Sequence, residues 1–251
     1  MCDMLKLLHF EFCKLRQSKS LYICSGLLAV LTAFSVYTEK AMNDELGLDS
    51  VTTGIASLME ALPTSMIAML MGIFVALFVC EDYTSGTIRN ILTRGYTRLS
   101  VFASKFLTVL AAAVFMSFVC WAAAFITGTA FGGSGDGFGA EQVKILLCQL
   151  VNTLAFATLF FALSIMIQRS GGAIACCIVV PMVMTIILKL ADTALAEREI
   201  ELYKYWIDGL GHSIASVTVK SGTLKDAFWY SVIYIPVSLA VGWLVSRKKE
   251  Y

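Results

Sequence analysis

Phe78-Val79-Cys80-Glu81-Asp82-Tyr83-Thr84-Ser85-Gly86-Thr87-Ile88-Arg89-Asn90-Ile91-Leu92-Thr93-Arg94-Gly95-Tyr96-Thr97-Arg98 is the stretch on which the fold turns. Residues 62–80 carry no charge, and that run ends abruptly at Glu81-Asp82. A short polar segment follows, and a second long apolar run begins near Leu99. A polar segment so bounded sits just outside a membrane, between two spans. Within it Ile88, Ile91 and Leu92 fall at i, i+3 and i+4, one face of a helix, while Arg89, Asn90 and Arg94 take other faces. Thr84 or Ser85 is a candidate cap for its start, and Gly95 a candidate left-handed end. The stretch reads either as a short basic helix on the membrane surface or as a polar loop that only joins two spans.

Composition fixes the class. Of 251 residues, 58% are hydrophobic and only 15% charged, with a mean hydropathy of +0.79. A soluble domain of this length cannot hide so much apolar surface, so the fold class is an all-α integral membrane protein. The net charge of +1 gives no case for nucleic-acid binding. The eight cysteines, Cys2, Cys13, Cys24, Cys80, Cys120, Cys148, Cys176 and Cys177, form no C-x-x-C pair, and the two histidines, His9 and His212, are far apart in sequence. No metal site is expected.

Six transmembrane helices are expected, over residues 21–38, 62–80, 99–127, 143–168, 173–188 and 227–246, in a single transmembrane domain covering 1–251. At 1.5 Å per residue the first covers roughly 27 Å, enough to cross. Before it, Leu5, Leu8, Phe12 and Leu15 follow helical spacing among Lys6, Lys14, Arg16 and Lys19. That pattern suits an N-terminal helix lying in the interface near anionic headgroups. Span three is longer than a crossing needs, with Lys105 near its start. The glycine-rich residues 128–140 read as a flexible turn; no Gly-Lys pair occurs anywhere, so no phosphate-binding loop exists. Gln149, Asn152, Thr153 and Ser164 in span four would bond to neighbouring helices or line a cavity. Residues 169–172 read as a tight turn, span five as short and interrupted by Pro181, and span six as kinked at Pro236. Residues 189–226 form the longest polar connection, with short interfacial helices and an aromatic group, Tyr203, Tyr205 and Trp206, suited to the membrane boundary.

Orientation follows from lysine and arginine. With both termini in the cytoplasm, twelve lie inside: Lys6, Lys14, Arg16, Lys19, Arg89, Arg94, Arg98, Lys105, Arg169, Arg247, Lys248 and Lys249. Seven lie outside: Lys40, Lys144, Lys189, Arg198, Lys204, Lys220 and Lys225, five of them in or beside the one long loop, which counts little. The stretch at 78–98 is then cytoplasmic.

Glu81, the aromatic Tyr83, Gly86-Thr87-Ile88-Arg89, Leu92-Thr93 and Arg98 resemble the signature that follows the second span of ABC-2 type permeases. The residue-level likeness runs from Phe78 to Lys105; Gly95 departs from it, standing where many relatives carry proline. The resemblance implies a coupling helix that docks into a cytoplasmic ATPase, with Glu81, Gly86, Thr87, Ile88, Arg89, Ile91, Leu92 and Arg98 as its coupling residues. Ile88, Ile91 and Leu92 are expected to enter a groove on that ATPase, and Arg89 to meet acidic groups there or fold back onto Glu81. It further implies two ATPase copies, which would hold ATP and Mg, with no cofactor on this chain. A second permease chain, identical or a paralogue, and a bacterial plasma-membrane location complete the implied assembly.

The span windows contain no Asp, Glu, Lys, Arg or His once the first residues of spans three and four are set aside. Ion-coupled carriers usually need such groups in the bilayer, and no nucleophile–base set is present, so an enzyme is not expected. A permease driven by ATP hydrolysed on a partner fits best, with a secondary carrier and a membrane scaffold or immunity protein as the rivals. Met66, Met69, Phe74, Phe115, Trp121, Gln149 and Asn152 are the candidate substrate path. Flexible thioethers and rings suit varied apolar ligands, so the expected cargo is an amphipathic, antimicrobial or cytolytic peptide, with lipid or drug efflux as the alternative.

Overall fold

The computed structural model describes residues 2–46, 53–61, 65–135, 137–195, 201–215 and 221–248. Ten α-helices make up the described chain: α1 (Cys2–Gln17), α2 (Lys19–Leu46), α3 (Gly54–Glu60), α4 (Ser65–Thr84), α5 (Thr87–Thr93), α6 (Arg98–Gly132), α7 (Ala140–Ile167), α8 (Ser170–Ala194), α9 (Ile207–Ala215) and α10 (Ser221–Lys248). Six of them, α2, α4, α6, α7, α8 and α10, are long and apolar enough to cross a membrane, and a helix does precede the first, as expected.

α7 is the axis of the bundle, packing against α10, α4, α6, α8 and α9. Its Phe160 and Phe161 meet Phe74 and Phe78 of α4 and Met116 of α6 in one continuous core. Between spans the driving force is close packing, not exclusion of water, because lipid is as apolar as leucine. Small residues let the axes approach: a Cβ on Gly242 of α10 would stand 3.2 Å from Ala162 Cβ of α7. The outer faces of α8 and α10 are the reverse, with Val179, Met182, Ile186, Leu190, Ile233 and Val237 exposed, an apolar belt for lipid or another chain.

The helices outrun the apolar windows that located them. α6 continues five residues into the glycine-rich segment, where Gly133 and Gly135 then take positive φ and Gly139 is the N-cap of α7. α8 runs unbroken through Pro181, so span five is neither short nor interrupted. The turn before it is tighter than residues 169–172: Gln168 takes φ 59°, Arg169 is extended, and Ser170 already belongs to α8.

The connection after span one holds an element that hydropathy did not reveal. Thr53 caps α3, its hydroxyl accepting from the Ala56 amide at 3.4 Å. α3 then lies on α6 where both are narrow: a Cβ on Gly128 would sit 2.6 Å from Ser57 Oγ and 3.0 Å from Gly54 Cα. Its C-terminal end, whose carbonyls lack helical partners, is held by side chains of two spans. Gln149 Nε2 donates to the Met59 carbonyl, and Cys120 Sγ to that of Ala61 at 3.6 Å.

At the same end of the bundle a turn of 3-10 helix, Tyr203–Tyr205, and α9 fold over α8 and α10. Asp208, buried, accepts from Thr185 at 3.2 Å and from the Tyr203 hydroxyl at 3.0 Å; burial and that carboxylate push the Tyr203 phenol well above its ordinary range. Trp206 donates to Thr185 Oγ1 at 3.2 Å. The expected short helices in this connection are therefore present, and Trp206 is buried in the contact.

Burial, the charge of Glu39 on α2 and a hydrogen bond to it raise the Glu60 carboxyl from 4.5 to about 7. The folded chain thus holds this proton more tightly than the unfolded chain, and stability from it is full below about pH 4.5 and lost as pH rises through about 7. The thermal midpoint in detergent should fall across that window, and Glu60→Gln should flatten the fall.

Candidate functional site

α4 ends where its last side chains turn back on its own carbonyls. Thr84 Oγ1 donates to Cys80 O at 3.2 Å and to Glu81 O at 3.0 Å, as hydroxyls at helix ends do. Thr84 and Ser85 therefore do not cap the next helix. The residue before α5 is Gly86 at φ 69°, with no side-chain cap, a conformation glycine adopts at no steric cost. α5 closes as the sequence suggests: Gly95 takes φ 88° and its amide bonds to Leu92 O at 3.1 Å. Thr97 then caps α6 through the Ser100 amide at 3.2 Å.

The apolar stripe of α5 faces inward. Ile88 and Ile91 are buried inside this chain, and Ile91 packs with Leu7 of α1 and Val101 of α6, flanked by Leu92 and Tyr96. Of the stripe expected to enter a groove on a partner, Ile91 is thus covered by α1 and α6 of its own chain, Ile88 is buried within the chain and Leu92 is half-buried. Arg89, Asn90, Thr93 and Arg94 are what α5 exposes.

Beneath α5 lies a cluster of charges buried among helix ends. Lys105 of α6 is 2% exposed and bonds two carboxylates, Glu11 Oε1 of α1 at 3.1 Å and Asp82 Oδ2 of α4. Asp82 Oδ1 takes the amine of Lys14, which also lies 3.6 Å from Glu81 and 5.2 Å from the Phe78 ring centre. Asp82 and Glu11 are each 1% exposed. Glu11 Oε2 is buried with no hydrogen-bond partner among the described residues. Charges cannot be left unpaired at such depth, since removing one member of a buried pair costs about 3–5 kcal/mol. Three helices are pinned by this cluster at one point.

Sequence reasoning singled out Glu81 and passed over its neighbour. Glu81 is largely exposed and pairs with Lys14, not Arg89; Asp82 is the carboxylate turned inward. The signal was present in register. Phe74, Phe78 and Asp82 stand at i, i+4 and i+8 on the buried face of α4, as do Leu7, Glu11 and Leu15 on α1 and Val101, Lys105 and Val109 on α6. Of the stripe expected on α1, Leu15 is buried and Leu8 half-buried, whereas Leu5 and Phe12 are exposed.

The candidate path residues fall into separate surroundings. Met69 and Phe115 are exposed on the outer surface, while Phe74 is fully buried and stacks on Phe78 at 5.7 Å. Trp121 is edge-on to Phe118. Gln149 holds α3, and Asn152 Oδ1 accepts from Ser231 of α10 at 3.2 Å. The Met66 side chain lies outside the described residues.

The sequence model of one family, described as "ABC-2 family transporter protein", matches residues 7–192. That range begins in α1 and runs through α8, so it takes in α5 and every member of the charge cluster. No curated protein matches the chain.

Asp82→Ala should cost about 3–5 kcal/mol, the loss for stranding a buried partner, whereas Glu81→Ala should change stability by about 0.5 kcal/mol or less. Denaturant unfolding of the two purified variants in the same detergent separates them.

Proposed function

We propose, from the premise that this chain belongs to the ABC-2 family of transporter proteins, that it is the permease of an ATP-driven exporter whose cargo is an amphipathic peptide. Membership alone makes it a multi-pass membrane subunit of an ABC transporter, and the family works with an ABC ATPase. The finer reading is ours. Two ATPase copies would hold ATP and Mg, and two permease chains, identical or paralogous, would form the path. Both termini and α5 would face the cytoplasm of a bacterial cell across its plasma membrane.

The observation that carries the coupling role is the division of α5 into a buried apolar underside and an exposed polar edge. Ile88 and Ile91 fasten α5 to its own bundle, and Arg89, Asn90, Thr93 and Arg94 remain for a partner. Such an edge suits acidic groups, and contacts of this kind set association rate and register and weaken with salt. The cargo reading draws on the spans. Their central windows lack charge and offer apolar side chains with a few hydroxyls and amides, surroundings costly for an ion or sugar but tolerant of an amphipathic helix.

Four measurements test this. Arg89→Glu with Arg94→Glu should weaken binding of the ATPase by roughly tenfold or more at low salt, the scale of a few lost charge contacts, with the permease itself unharmed. Ile88→Asp should instead destabilise the permease by a few kcal/mol through a buried charge. If Ile88→Asp folds normally and only loses the ATPase, the inward assignment of the stripe fails. In nanodiscs, ATP hydrolysis by the complex should rise with amphipathic helical peptides more than with sugars or hydrophobic drugs; stimulation by sugars and by no peptide overturns the cargo. For orientation, an impermeant thiol reagent on intact cells should label Gly137→Cys and spare Ser85→Cys in a cysteine-free chain. Labelling of Ser85→Cys overturns it.

A further inference from the structure

We infer that Lys105 and Asp82 are positioning residues for transport, carrying movement of α5 into α1 and α6; this rests on the coupling role proposed for α5. The inference starts from connectivity. α5 follows α4 through only Ser85 and Gly86, so a push on α5 acts at once on the last turn of α4, where Asp82 sits. Two attachments lead on from there. One is the apolar contact of Ile91 with Leu7 and Val101, which touches α1 and α6. The other is the ionic cluster, in which Lys105 of α6 is shared between Asp82 of α4 and Glu11 of α1. Both attachments end on α1 and α6, one from α5 itself and one from the end of α4, so α5 cannot shift without either carrying α1 and α6 with it or opening both contacts.

The two attachments differ in kind. Apolar side chains slide past one another with little penalty for partial overlap, whereas a buried ion pair has no cheap intermediate: a carboxylate and an ammonium in a low-dielectric site are together or stranded. The ionic cluster therefore behaves as an all-or-none link. Within it the members are unequally held. Asp82 uses both oxygens, one on Lys105 of α6 and one on Lys14 of α1, so α4 is tied directly to both helices. Glu11 uses only Oε1 and keeps Oε2 buried without a partner among the described residues, so the Glu11–Lys105 contact between α1 and α6 is the less fully paired one. Span three, the longest helix in the chain at 35 residues, is the arm such a link would drive, and it runs to the far end of the bundle, where it supports α3.

The experiment uses the permease purified in complex with its ABC ATPase. Hydrogen exchange of the permease amides is compared in nucleotide-free and vanadate-trapped complexes, with ATP hydrolysis measured in parallel. In the unaltered protein, trapping should change exchange in α5, α1 and the first turns of α6 together. In Lys105→Met the change should remain in α5 and in α1, which Lys14 still holds to Asp82, and fall by roughly tenfold or more in α6, the scale of a coupling between sites, while hydrolysis persists. Lys105→Arg, which keeps the charge and can bridge two carboxylates, should restore it. Because Lys105→Met strands two carboxylates, the isosteric Asp82→Asn is measured beside it and should lower the change in α1 and α6 together. Undiminished transmission to α6 in Lys105→Met or, should that variant not assemble, to α1 and α6 in Asp82→Asn overturns the inference. If the unaltered permease binds no ATPase, the coupling role falls instead. The link is then judged on the permease alone, where Asp82→Asn must speed exchange of α1 and of the first turns of α6 by roughly tenfold or the inference is overturned.

Discussion

A single ammonium shared by two carboxylates decides how one end of this bundle is put together. Lys105 lies where an apolar side chain would be cheaper, and so do Asp82 and Glu11. Replacing all of them with hydrocarbon would cost little or even stabilise. What hydrocarbon would not supply is a unique arrangement. α1 is short and two-faced, with Leu5 and Phe12 exposed on one side, and packing alone would let it rotate or slide along the membrane surface. Glu11 on the other side can satisfy its charge in one rotation and at one height only. The same holds for the end of α4, where Asp82 rather than Glu81 must face in. Register at the junction of three helices is thus fixed by electrostatics, and α5, seated on Leu7 and Val101, inherits its position from it.

Polarity is distributed unevenly along the bundle. One end is braced by charge, through Lys105, Asp82, Glu11 and Lys14. The other is braced by neutral hydrogen bonds around one carboxylate, Asp208, with Thr185 and Tyr203. Between them lie aromatic and small side chains, Phe74, Phe160, Phe161 and Ala162, with serine and threonine hydroxyls such as Thr158 and Ser164 bonded to their own helix carbonyls. A permease of an ABC transporter needs just such a division: an end stiff enough to receive force and a middle whose contacts are weak enough individually to rearrange.

The six spans were legible because a bilayer enforces a long charge-free window, and each window stands out against its flanks. Their true ends were not, because a helix continues past the hydrocarbon wherever the residues still favour it, as in Glu39–Leu46 of α2 or the last turn of α8. Pro181 looked like an interruption, yet a proline in a span is tolerated when neighbours satisfy the freed groups. α3, seven residues long, was illegible: so short an element has no period to read, and it is held by Gly128, Gln149 and Cys120, which are remote in sequence. The inward turn of Ile88 and Ile91 was half legible. Helical spacing marked the stripe, but spacing says nothing of whether the covering surface belongs to the same chain or another. The buried cluster is recoverable from register alone, since Asp82, and not Glu81, continues the Phe74–Phe78 face.

The seating of α3 has a consequence for how the protein is made. The carbonyl of Met59 receives its donor from Gln149, 90 residues further along the chain. During synthesis the translocon releases spans in order, so when α3 emerges its binding surface on α6 has not been translated, nor has the glutamine that will hold its end. The segment must wait in water, capped by Thr53 but otherwise unsupported, until the fourth span has entered the bilayer. The far side of this membrane protein therefore closes late in biogenesis, and a chain truncated before α7 would carry α3 with its last turn unanchored.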